Sequence, residues 1–334
     1  MEILQEQAWP RIITQRQVFG SGKNTRQQMD RQTKTVADFI RLGTVQLDEA
    51  GVHFGHGTDN ALDEAACLVF DGLGLAHEDA VKLADLELDP AQREKVCALF
   101  ERRVVERKPA AYLTGKAWFC GLPFKVDERV LVPRSPIAEL IEAGFQPWIA
   151  PGQAGSLLDL GTGSGCIAIA SAMALPEARV SASDVSADAL DLARDNAAMH
   201  GLSERIEFIH SDLFASLSGR TWDIIVSNPP YVAEQEVRAL PAEYRHEPGI
   251  GLAAGPSGLD IVDRILAQAA AMLNPAGALF VEVGESRARL EQKYPDWPFT
   301  WLEFSRGGEG VFLLYREQIV NQLEQRTHVG KQHR

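Results

Sequence analysis

No stretch of this 334-residue chain stays apolar for the ~18 residues that a membrane-spanning helix needs. No apolar run follows the first charges, so no secretory signal is expected. The four cysteines, Cys67, Cys97, Cys120 and Cys166, are scattered without C-x-x-C spacing. That argues against a disulfide framework or a zinc site and suits reduced thiols in the cytoplasm. The eight histidines show no metal-ligand spacing, so no metal is expected. There is no basic run, and the net charge is −13. Proteins that grip duplex DNA draw much of their affinity from cations on phosphate, so direct duplex binding is not expected. An acidic chain suits a basic partner, although the same charge also serves solubility. Internal repeats are lacking too.

Apolar residues make up 45% of the chain, enough for ordinary globular cores, and the length predicts two domains. Residues 1–32 are polar and aperiodic and are expected to be a disordered extension, with Met29 as an alternative start. Residues 33–112 read as helical, with Val36, Phe39 and Ile40, then Val96, Leu99, Phe100 and Val104, at three-to-four spacing. His56-Gly57-Thr58-Asp59-Asn60 reads as a turn in which Asp59 or Asn60 caps the next helix. Residues 113–135 carry a hairpin signal around Gly121 and read as a linker. In residues 136–318 a helix is expected over 137–147. From Ser156 onward strands and helices alternate, which implies a parallel sheet. Strands are expected at 156–160, 179–183, 206–209, 222–227 and 278–283, and helices at 166–172, 186–200 and 258–273. Asn274-Pro275-Ala276-Gly277 reads as the stop of the last helix, and 299–304 with 310–315 as a closing hairpin. The α/β total is seven strands, one of them antiparallel. The polar tail, 319–334, is expected to fray from Asn321.

Two turns carry the chemistry. Asn228-Pro229-Pro230-Tyr231 follows the strand at 222–227. Neither proline can continue a strand, so the chain leaves the sheet in a stiff shape. That presents an amide side chain, the carbonyl of Pro229 and an aromatic ring at the strand's carboxyl end, where open α/β sheets bind ligands. Such an acceptor pair suits a planar group bearing an NH₂. The second turn is Gly161-Thr162-Gly163-Ser164-Gly165, between a strand and a helix. No Lys-Ser/Thr pair follows, which excludes a P-loop. Asp159 just before it suits a cationic amine better than a pyrophosphate. Asp184 ends the next strand, 23 residues after Gly161, where an acid can accept both ribose hydroxyls. Asp212 follows the third strand, in place to meet an adenine amine, and Leu213 to cover the adenine face. A nucleoside with a cationic centre, facing an NH₂ acceptor site, describes S-adenosylmethionine beside its methyl acceptor.

Residues 36–318 resemble the protein-glutamine methyltransferases. The branch that acts on large-subunit ribosomal protein three is the most similar. Its signals here are Leu131-Val132-Pro133-Arg134-Ser135-Pro136-Ile137-Ala138-Glu139-Leu140, Phe54-Gly55-His56-Gly57-Thr58-Asp59-Asn60, Ala117-Trp118-Phe119-Cys120-Gly121 and Glu243-Tyr244-Arg245-His246-Glu247-Pro248. The resemblance implies a class I S-adenosylmethionine-dependent methyltransferase, a Rossmann-like seven-stranded sheet behind a helical substrate-recognition domain and linking hairpin. It also implies a basic ribosomal protein as substrate. In this reading Asn228 and Pro229 accept the N–H groups of a glutamine carboxamide, Pro230 stiffens the turn and Tyr231 packs on the carboxamide plane. Asp159, the Gly161–Gly165 turn, Asp184, Asp212, Leu213 and Asn228 hold the cofactor. The linker hairpin and residues 243–251 wall the substrate cleft. The same chemistry on release factors, adenine methylation in nucleic acid, and an inactive cofactor-binding assembly factor are the alternatives.

Overall fold

The computed structural model describes residues 33–332, so the expectation for residues 1–32 lies outside the described residues. The chain divides into two compact units. One holds residues up to Lys116 together with Pro241–His246. The other holds Ala117–Leu240 and Glu247 onward.

The first unit is helical. Val36–Ala50 starts at a capping box between Thr35 and Asp38 and stops at left-handed Gly51. Ala61–Leu73 is capped by Asn60, whose side chain accepts the Asp63 N–H. Pro90–Glu106 begins with proline at its first position behind an Asp89–Gln92 capping box. Their apolar faces share one core, including Phe39, Ile40, Phe70, Val96 and Phe100. Gly43 is needed there, because a Cβ would stand 2.3 Å from the Phe100 ring. Arg103 is wholly buried in this unit. It donates to Glu64 at 2.6 Å, to Glu243 at 3.2 Å and to the His53 carbonyl at 2.7 Å. Glu243 also accepts the His53 N–H at 3.0 Å, and the Tyr244 ring lies 4.5 Å from that of His56. Residues 241–246 are thus held in the helical unit, far along the chain from the helices.

Strands β1 (Lys116–Phe119) and β2 (Leu122–Lys125) form the expected hairpin. Cys120 and Gly121 both have positive φ, the two-residue turn that suits strand twist.

The second unit is built on β3 (Ser156–Leu160), β4 (Arg179–Asp184), β5 (Ile206–His210), β6 (Trp222–Ser227), β7 (Leu273–Glu282), β8 (Thr300–Trp301) and β9 (Val311–Tyr315). The order is β5-β4-β3-β6-β7-β9-β8, with β9 running against the rest. This is the class I methyltransferase sheet. β3 is buried at all five positions, Ser156 and Asp159 included. From β3 the chain builds outward through β4 and β5, then returns to the other side of β3 as β6. The order reverses there, so the crevice between the carboxyl ends of β3 and β6 is the topological switch point where such sheets bind ligands.

Four expectations are corrected. The helix expected over 137–147 spans only Ile137–Glu142. The helix Asp260–Met272 is followed at once by β7, so residues 274–277 lie inside a bulged strand, with Ala276 at φ 61°, and not in a loop. The first strand of the closing hairpin shrinks to two residues. The tail does not fray from Asn321: Arg316–Gln332 is helical. Buried Ile319, with Val320 and Leu323, seats it on the sheet core, and Arg316 donates to the Ala270 carbonyl at 3.1 Å.

Candidate active site

A cavity opens at the switch point of the second unit. Gly161 to Ser164 after β3, Asp184, Asp212, Leu213 and Asn228 through Pro230 line it, and so do Val132 to Ser135, Pro248, Ile250 and Gly251, whereas Gly165 does not.

Gly161 and Thr162 donate their N–H groups to the Ser183 carbonyl at 2.8 and 2.9 Å, which draws the loop onto the end of β4. Gly161 and Gly163 have φ of 79° and 53°, a hand that L side chains avoid. A Cβ on either would meet nothing within 4 Å, so their backbone faces open space. Gly165 begins the helix Cys166–Ala174, and Ser164 gives its carbonyl to the Asn196 amide at 2.9 Å.

Asp159 was expected to face the ligand's amine. It lies one layer lower, fully buried beneath the loop and absent from the cavity lining. One oxygen accepts from the Thr162 hydroxyl at 2.5 Å and the Ala168 N–H at 3.0 Å, so it ties the loop to the following helix. Its other oxygen has no partner among the described residues. Burial, against those hydrogen bonds, pushes its carboxyl up to about 7.

Asp184 lines the cavity and also organises its wall. One oxygen accepts the Gly163 N–H at 2.9 Å and the other the Ser186 N–H at 2.8 Å. Burial raises its pKa despite these bonds. Asp212 reaches the cavity from the loop after β5, with one oxygen 2.8 Å from Arg264. Leu213 beside it has φ 49°, uncommon for a non-glycine residue, and its carbonyl accepts from the Ser211 hydroxyl at 2.7 Å.

Asn228 and Pro229 stand at the cavity edge, directly after the buried end of β6. Tyr231 departs from expectation. It is not in the cavity lining. Its hydroxyl donates to Glu282 at 3.2 Å and its ring lies against Gly284, where a Cβ would come within 2.9 Å. Its carbonyl accepts from the Ser286 hydroxyl at 2.7 Å, and that hydroxyl is itself held by Arg289 at 2.7 Å. The turn is therefore clamped from its outer side.

Glu282 escaped the sequence reading. It closes β7, is 5% exposed and accepts the Ser135 hydroxyl at 2.5 Å. The available signal was a lone carboxylate ending the apolar run Ala278-Leu279-Phe280-Val281. The segment before it in the cavity wall is also anchored. Arg134 grips Glu247 with both arms, and Glu247 accepts the Val132 N–H at 3.1 Å. Two of the segments that carry the resemblance thus meet each other.

The methyltransferase small domain model matches residues 146–243. Curated relatives extend the likeness to nearly the whole chain. A ribosomal protein uL3 glutamine methyltransferase of Xylella fastidiosa is 51% identical over 86% of this chain and 91% of its own length. One of Neisseria gonorrhoeae is 50% identical over 86% and 96%, and one of Bordetella pertussis 46% identical over 89% and 98%. With a class I sheet and a polar turn at its switch point, the chain belongs to the ribosomal protein uL3 glutamine methyltransferase family.

Proposed function

We propose that this glutamine methyltransferase modifies a glutamine of ribosomal protein uL3 in the cytoplasm, with S-adenosylmethionine as donor, and that Asn228 and Pro229 hold the target carboxamide. The observation that carries the reading is that Asn228 and Pro229 both line the switch-point cavity, directly after the end of β6.

The cavity suits the donor on three counts. The backbone of Gly161 and Gly163 leaves room above it. Asp184 offers an acidic wall at a ribose position. Leu160, Ile167, Leu213 and Ile261 supply apolar surface for a purine. Asp159 supports the loop from below, through the Thr162 hydroxyl and the Ala168 N–H. Asp212 is the candidate for the adenine amine. When bound, S-adenosylmethionine supplies a methyl group on a sulfonium, an electrophile with a neutral thioether as leaving group.

An amide nitrogen is a poor nucleophile, because its lone pair is delocalised into the carbonyl. The chain compensates by positioning and electrostatics. The Asn228 side-chain oxygen and the Pro229 carbonyl each accept one carboxamide N–H, which turns the nitrogen's lone pair toward the cavity and offsets positive charge developing there. The excess proton leaves to water after transfer. Pro230 and the clamp on Tyr231 keep the acceptors in place. Tyr231 remains a candidate for packing on the carboxamide, through movement of a ring now turned to Glu282. The four free cysteines support a cytoplasmic setting.

The test is transfer of radiolabelled methyl to purified large-subunit proteins, with mass spectrometry of the labelled product. Label on a glutamine of uL3 supports the proposal. Label confined to release factors or nucleic acid contradicts it.

A further inference from the structure

Ser227 and Leu160 each stand one residue before a turn that lines the cavity. Ser227 closes β6 and precedes Asn228, and Leu160 closes β3 and precedes Gly161. The two strands are paired in register from Leu157 with Ile224 to Asp159 with Val226, and the pairing goes no further. Beyond it, where the strands part for their turns, the Ser227 hydroxyl donates to the Leu160 carbonyl at 2.6 Å. Ser227 is fully buried and does not line the cavity. The strand before it is apolar, Ile224-Ile225-Val226, and a hydroxyl in such surroundings is costly unless it is hydrogen-bonded.

The turns on either side decide what this bond holds. Pro229 and Pro230 have no N–H to anchor them and a nearly fixed φ, so their turn passes on the position of its first residue with little slack. The Asn228 side chain and the Pro229 carbonyl therefore follow the end of β6. The far end of that turn is held separately, where Ser286 donates to the Tyr231 carbonyl at 2.7 Å. The Gly161–Gly165 turn is drawn toward β4 through the Ser183 carbonyl, which leaves its spacing from β6 to other contacts. The Ser227 hydroxyl spans that gap, from the base of one turn to the base of the other. In-line displacement needs its reacting atoms held about 3–3.5 Å apart and aligned. A methyl group seated over one turn and a nitrogen held by the other have their separation set at those bases.

We propose that Ser227 is a positioning residue for methyl transfer: its hydroxyl ties the turn that holds the carboxamide to the turn that holds the cofactor, and so fixes the distance between them. This rests on the reading of the Gly161–Gly165 turn as the cofactor's seat and of Asn228 and Pro229 as the acceptors. Each turn keeps contacts of its own without Ser227. Gly161 and Thr162 still reach the Ser183 carbonyl, Gly163 still reaches Asp184, and Tyr231 still accepts from Ser286. Loss of the hydroxyl therefore spares the binding of each partner and acts on the step in which the two must meet.

The experiment compares Ser227→Ala and Ser227→Cys in the full chain. The readouts are kcat and KM with uL3, S-adenosylmethionine Kd by calorimetry, and the urea unfolding midpoint. Cysteine fills nearly the same space with only a weak S–H donor, so it separates the hydrogen bond from the packing. Both variants should lower kcat by about 10- to 100-fold, the scale of a small misplacement of reacting groups, and leave KM and Kd unchanged. The urea midpoint shows that they are folded. A near wild-type kcat in either variant would overturn the assignment. A kcat loss matched by weaker cofactor binding would do the same, since the bond would then serve the cofactor turn alone. Should Ser227→Ala unfold, Ser227→Cys decides, and two unfolded variants would make the bond a requirement of the fold and not of the reaction. A full-rate Asn228→Ala enzyme would instead remove the acceptor reading on which the proposal rests.

Discussion

Arg134 and Glu247, 113 positions apart, form a bidentate pair with N···O distances of 2.5 and 2.7 Å, and the Glu247 carboxylate has no solvent exposure. The pair holds the cavity wall at Val132 to Ser135, the segment that presents Ser135 to Glu282. Arg134→Ala would leave a buried carboxylate without its cation. A loss of about 3–5 kcal/mol is expected from urea unfolding. Arg194→Ala, which breaks the exposed pair with Asp191, should cost under about 1 kcal/mol. Equal losses from the two variants would show that the Arg134 pair is merely superficial.

Asp184→Ala removes an acceptor from the cavity and frees the Gly163 and Ser186 N–H groups. S-adenosylmethionine binding should weaken by about 1.5–3 kcal/mol, the range for a hydrogen bond to a charged group. Calorimetry checks this. Unchanged affinity would reduce Asp184 to a cap for the loop and the following helix.

Asp159 and Glu282 give stability an unusual pH dependence. Both carboxyls are raised by burial to about 7, above the ordinary carboxylate value near 4 that the unfolded chain has. Between those values the folded state binds more protons than the unfolded state. Their contribution is therefore complete below about pH 4 and is lost as pH rises toward 7. Asp159→Asn should flatten this part of the slope. Urea midpoints on both sides of the interval measure it, and an unchanged slope would place the Asp159 carboxyl at its ordinary value.

What could be read in advance depended on how local the cause was. β3 is buried throughout, and its leucines Leu157, Leu158 and Leu160 mark it as a strand without knowledge of its neighbours. Gly161, Gly163 and Gly165 mark a turn by type alone, and Asn228-Pro229-Pro230-Tyr231 marks a strand end because proline has no N–H. The misses had distant causes. Glu282 gains its meaning from Ser135, 147 positions away, and Tyr231, 51 away. The orientation of Tyr231 follows from Gly284, and the depth of Asp159 from a sheet buried on both faces. Pro275 and Gly277 read as breakers, yet a bulge absorbs them within β7. The helix Arg316–Gln332 shows only a thin apolar stripe, and its docking on the sheet core is what holds Ile319.

A chain carrying a net charge of −13 should attract a basic protein substrate over distance. The KM for uL3 should rise with added salt, while kcat and S-adenosylmethionine affinity change little. Steady-state kinetics across a salt series checks this. A KM that does not respond would leave the charge with a role in solubility alone.

The central claim is that Asn228 acts on the carboxamide and not on the fold. Its most direct test is the single-turnover rate of methyl transfer to uL3 by Asn228→Ala, with cofactor binding followed in parallel by calorimetry. A rate at least ~10²-fold lower at nearly unchanged S-adenosylmethionine affinity is the predicted result, the scale of losing one aimed polar group. A near wild-type rate would contradict the account.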